Sequence, residues 1–197
     1  MFDEKFVLLA LLLNTYGDMK YLVATVKGTI KPNKVSWLFW AIAPMTAFAG
    51  EIAKGVGWAS IMTLSVGLNP LLIFFASFLN KKAQWKISKF DTACGLLSLV
   101  GIFLWFLTSD ANLAIFFAIL ADVAAAAPTL IKSYYHPKTE NASPFIFAVL
   151  AAIVTLLTIK EWNFANYGFP VFILFSCLVF VLLIQFQMGK YIRKFKM

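Results

Sequence analysis

Charge is scarce in this chain: 13% of its 197 residues are Asp, Glu, Lys or Arg, and the acidic ones number only nine. A soluble domain of this size needs far more polar surface to cover its core. No stretch is long and polar enough to form a separate soluble domain. Histidine is nearly absent, with His136 alone, and cysteine stops at Cys94 and Cys177. Without a Cys–His cluster, an HExxH motif or a phosphate-binding glycine loop, there is little from which to build catalysis, a metal site or a cofactor site. We expect no enzyme, no metal and no cofactor. Both cysteines fall within apolar runs, where a free thiol behaves as a small apolar residue. The first run, MFDEKFVLLALLLN, begins acidic and has no small-residue cleavage site after it, so it reads as a first helix and not as a cleaved signal peptide.

What the chain has instead is apolar length: 61% hydrophobic residues and a mean hydropathy of +0.83. The apolar residues form runs near the ~20 residues that a hydrocarbon core of ~30 Å requires. Seven spans can be drawn, at about 6–26, 35–52, 58–79, 90–107, 111–131, 143–159 and 164–188, followed by a short basic tail. The expectation is an all-α membrane protein.

The seventeen Lys and Arg could suggest nucleic acid, but their positions argue for orientation in a bilayer instead. Thirteen fall on one side: Lys27, Lys31 and Lys34, then Lys81, Lys82, Lys86 and Lys89, then Lys132 and Lys138, then Lys190, Arg193, Lys194 and Lys196. The other side has Lys5, Lys54 and Lys160, while Lys20 lies within the first span. The positive-inside rule then places the N-terminus outside and the C-terminus in the cytoplasm, with the plasma membrane the expected location and no nucleic-acid partner.

An internal repeat is written into the stretch from Gly17 to Trp40. Asp18 sits inside an apolar helix that exits at Lys27, a turn carries Lys31-Pro32-Asn33, and a new helix opens at Ser36. Asp122 likewise precedes Lys132, the turn His136-Pro137 and a helix from Ser143-Pro144. Asp and turn Pro are fourteen residues apart in the first copy and fifteen in the second. Spans one to three would form one unit (1–80), spans five to seven the other (111–188), with a basic loop and linker helix between (81–110) and a tail (189–197). The single extra crossing makes the two units parallel, with their shared interface the place for a substrate path.

This layout of three helices, a linker helix and three more, with the N-terminus outside, resembles the SWEET and SemiSWEET sugar transporters of the PQ-loop superfamily, which also includes vitamin transporters and KDEL receptors. Ala127-Pro128-Thr129 is similar to the family's PQ motif with Thr in place of Gln, while the aligned Ala24-Thr25 lacks the proline. Asn69-Pro70 resembles the pocket asparagine that such transporters carry on the third helix. Span seven has Pro170 but no Asn at that depth, Asn166 lying nearer the outer end.

The candidate substrate-binding residues are Asp18, Trp40, Asn69 and Asp122. A mid-membrane aspartate costs ~2.5–3.5 kcal/mol on insertion scales, so it faces a cavity or a partner. The working role is hydroxyl binding or proton coupling; the alternative is a structural carboxylate bonded to nearby Ser, Thr or Tyr. Asn69 offers a donor and an acceptor to a polyol, or else an interhelical bond. Trp40 could stack on a sugar ring; its repeat counterpart is Phe147. Trp37 reads as an aromatic-belt residue, as do Trp58, Trp85 and Trp162. Lys20 lies on another helix face from Asp18 and is expected to snorkel. Pro44, Pro70, Pro128 and Pro170 are candidate hinges, and the alanines of span five favour close packing. The expected function is alternating-access transport of a small polar solute, a sugar first, with proton linkage open. The alternative is a receptor or assembly protein on the same scaffold. The partners are the solute and the lipid bilayer, with room for a homo-oligomer.

Overall fold

The computed structural model describes residues 4–53 and 60–195. Lys54, Trp58 and Lys196 lie outside them. The described residues form α1 (Val7–Lys27), α2 (Lys34–Ala53), α3 (Ser60–Leu79), α4 (Lys89–Leu107), α5 (Ala111–Tyr135), α6 (Ser143–Thr158), α7 (Phe164–Ile184) and α8 (Met188–Phe195), with short 3-10 turns between some of them and no strand. Four helices, α1, α4, α5 and α7, contain stretches long and apolar enough to cross a membrane. α6 is shorter, about 24 Å at 1.5 Å per residue. Large apolar side chains point outward all round the bundle, among them Leu12, Phe75, Leu97, Phe103, Phe106 and Phe175. Water would penalise such a surface and lipid does not.

Polar side chains start and stop the helices. α1 ends on Gly28, whose φ of 71° is left-handed and whose N–H returns to Ala24 and Thr25. Asn33 Oδ1 accepts from Val35 N (3.0 Å) to open α2, and Asn141 Oδ1 accepts from Ser143 N (2.8 Å) to open α6. A capping box of Ser88 and Asp91 opens α4, and Asp110 and Asn163 cap α5 and α7.

α3 packs against both α1 and α2, whose backbones stay apart from one another; α7 packs in the same way against α5 and α6. Two helix pairs pack backbone to backbone between these groups, α1 with α6 and α2 with α5. Each is the counterpart of the other when α1 is matched to α5 and α2 to α6. α4 packs on α5 and α2. The turns meet at one end. Lys31 N donates to Thr139 O (2.9 Å), Asn80 Nδ2 to Val26 O (3.0 Å), Asn33 Nδ2 to Asp91 Oδ1 (3.3 Å), and Arg193 Nη1 on α8 to Tyr134 O (2.6 Å). The helices therefore alternate in direction, and the described loop lysines from Lys27 to Lys138 gather at this basic end.

The α1–α6 contact needs Gly17. A Cβ there would sit 2.8 Å from Phe147 Cβ, 3.0 Å from Ser143 O and 3.1 Å from Pro144 Cα, two of them backbone atoms that cannot turn aside. Gly17→Ala should therefore cost about 1–3 kcal/mol by overpacking. Unfolding in detergent would check this; unchanged stability would mean that the two helices can part freely.

Candidate functional site

Asp18 follows Gly17, the point of close approach between α1 and α6. The Asn69 side chain on α3 sits against its carboxyl, and Asn69 Nδ2 donates to Thr15 Oγ1 (3.3 Å), which holds the amide in place. On the other side of the bundle the Trp40 side chain from α2 sits against the Asp122 carboxyl from α5. Cys177 on α7 lies near enough to both aspartates for each to act on it electrostatically. The four candidate residues thus form two pairs, Asp18 with Asn69 and Asp122 with Trp40, and both aspartates lie within electrostatic reach of Cys177. Asn69 is buried, whereas Asp18 and Asp122 remain half-buried despite lying deep in protein.

Away from the basic end, a cavity of about 290 Å³ is lined by the first turns of α1, Pro44, Val66 and Thr155, with Asn14 its polar wall. Three of its lining residues lie about one turn from a site residue: Asn14 from Asp18, Val66 from Asn69, and Pro44 from Trp40. The cavity thus stands above the candidate site, which its lining helices carry one turn deeper.

Toward the basic end two layers of side chains fill the space between the helices. The first is aromatic. Trp37 packs on Tyr21 (ring centroids 4.6 Å apart) and edge-on to Trp40 (5.2 Å), which meets Phe145 and Phe180, themselves stacked at 4.1 Å. The second is ionic. Lys132 Nζ on α5 and Glu140 Oε1 in the following turn form a salt bridge of 2.5 Å with both side chains almost fully buried. Tyr21 OH on α1 donates to Glu140 Oε2 (2.5 Å), Lys132 also donates to Lys31 O, and Trp37 Nε1 donates to Tyr21 OH (3.3 Å). Trp85 lies over the Lys132 ammonium, 4.8 Å from its ring centroid.

Sequence reasoning missed this ionic layer. Glu140 was one acid in a basic loop, and Lys132 was counted only for orientation. The available signal was the capacity of that lone acid to neutralise a nearby lysine. Two belt assignments are corrected. Trp37 is 3% exposed and bonded to Tyr21, because its face of α2 turns inward. Trp85 is half-buried and covers Lys132 and His136. Trp162 is 62% exposed, as a belt residue would be. Lys20 is exposed, its ammonium 4.7 Å from the Tyr16 ring centroid and away from Asp18. Pro44, Pro70, Pro128 and Pro170 each lie inside a helix that continues past them. Asn166 bonds Glu161 O at the start of α7. Cys94 and Cys177 are free and buried, and no metal-binding group occurs among the described residues. Of the basic tail, residues 189–195 are helical, as most of α8.

Compared with protein-family models, with curated proteins and with solved structures, the chain matches none.

Proposed function

We propose that this protein is a membrane transporter for a small, neutral, polar solute, sugar being the first candidate, and that it works by alternating access. The observation that carries the reading is the pairing of Asp18 with Asn69 and of Asp122 with Trp40, both aspartates within electrostatic reach of Cys177, with a cavity about one turn away and the aromatic and ionic layers toward the basic end. Carboxyls and an amide suit the hydroxyls of a polyol, and an indole suits its apolar ring face. The bundle is read as seven membrane spans in a 3+1+3 arrangement with parallel units and a linker, α4. What supports this is the placement of α3 and α7 within their groups and the paired α1–α6 and α2–α5 contacts. The same order supports the likeness to SWEET and PQ-loop proteins. A receptor for a peptide carboxylate is less well supported, because the buried Lys132 is already neutralised by Glu140.

In this reading the basic end is assigned to the cytoplasm by its lysines, and the cavity opens toward the outside. A reporter fused after Met197 should be active only in the cytoplasm; activity only outside would reverse the assignment. Vesicles containing the purified protein should exchange a labelled sugar, vitamin or amino acid faster than protein-free vesicles. Failure across the whole panel would remove the transport reading.

A further inference from the structure

We propose that the corner between α7 and α8 seats the phosphate headgroup of an anionic phospholipid. This goes beyond the transport reading and needs only that the bundle lie in a membrane. After Ile184 the chain turns through Gln187, whose φ of 52° is left-handed, and α8 leaves along a new direction. Gly189 fixes its roll: any side chain there would run into the Tyr134 backbone and ring. Arg193, one turn on, lies over the Tyr134 ring (5.0 Å to the centroid) while its Nη1 donates to Tyr134 O (2.6 Å). With those two residues committed to α5, Lys190 and Lys194, four apart and so on one face, are exposed beside a cavity of about 380 Å³. Gln185, Gln187 and Tyr191 complete its polar wall, with Phe186 at its edge; Lys190 already donates to Gln187 Oε1, which holds its ammonium at the cavity.

Two further observations identify the occupant. From 164 to 197 the chain has no Asp or Glu, so this cationic corner has no acid of its own segment to neutralise it. At the cavity Phe186 (60%) and Tyr191 (62%) are exposed, and so are Met188 (38%) and Ile192 (41%) on α8. A free phosphate ion would gain nothing from that apolar border, whereas a lipid brings a headgroup for the lysines and chains for the aromatics. A short helix with separate basic and apolar faces is also the form that lies at a membrane surface.

The test uses the full chain in micelles, with lipid adducts read by native mass spectrometry. Phosphatidylglycerol should be retained and phosphatidylcholine not. K190Q/K194Q should weaken phosphatidylglycerol binding roughly 10- to 30-fold, and Y191A less. K86Q/K89Q, elsewhere on the basic end, should leave it unchanged. Thermal unfolding of each variant establishes that the fold is kept; should K190Q/K194Q not fold, K194Q alone carries the test, with a smaller loss expected. Equal retention of the two lipids, an equal loss in K86Q/K89Q, or no loss in a folded Lys194 variant would overturn the proposal. Displacement of the lipid by millimolar inorganic phosphate would also overturn it, in favour of a simple anion site.

Discussion

Asp122→Asn is expected to lower solute uptake roughly 10- to 100-fold while leaving the protein folded. The substitution keeps the shape of the side chain and an oxygen that can still accept from the Trp40 indole, so it isolates the charge. A hydrogen bond to a charged group contributes about 1.5–3 kcal/mol, against 1.4 kcal/mol for each factor of ten. Asp18→Asn should act in the same direction, and Asn69→Ala should lower uptake further by releasing both Thr15 and Asp18. The same vesicles report on protons. In a proton-linked cycle, uptake varies with external pH and the variation flattens in either Asp variant; in facilitated diffusion the native profile is already flat. Full uptake by folded Asp122→Asn would make that carboxyl a packing group.

The largest effect on stability is expected at Glu140. Its two oxygens serve Lys132 and Tyr21, so Glu140→Ala strands a buried ammonium and a buried phenol together. Breaking a buried ion pair from one side costs ~3–5 kcal/mol, because the remaining charge is neither solvated nor paired. Lys132→Met combined with Glu140→Met should recover most of that loss, since neither charge is then left behind. Denaturant titration in micelles of the single and double variants gives the coupling directly. A cost below about 1 kcal/mol for Glu140→Ala would show that water reaches the basic end and that the layer is no seal.

The helices were legible in the sequence because each is an apolar run bounded by a polar cap or a charged turn. The helix from Lys89 to Leu107, for instance, lies between the Ser88 cap and Thr108. Asp18 and Asp122 stood out for the converse reason, as acids in the middle of such runs. Glu140 did not, because loop charges are expected to be solvated, and its burial depends on Tyr21, 119 residues away. Trp37 was misread because the all-round apolar pattern of α2 does not distinguish the face toward lipid from the face toward protein. α8 went unseen because it is short and polar on average; only the packing of Gly189 and Arg193 on Tyr134 anchors it.

Pro128 has no N–H to give the Ala124 carbonyl, and its ring crowds that turn of α5. One residue on, the Ala125 carbonyl accepts from Ser36 Oγ on α2 (2.6 Å), and Thr129 Oγ1 donates to that same hydroxyl (2.7 Å). A hydroxyl from one group of helices thus fastens the weak point of a helix in the other. Bending α5 at Pro128 must drag α2 with it or break this fastening. A rearrangement that bends α5 with the fastening kept is therefore one motion with a single relaxation time, and a probe on α2 and a probe on α5 would record the same rate.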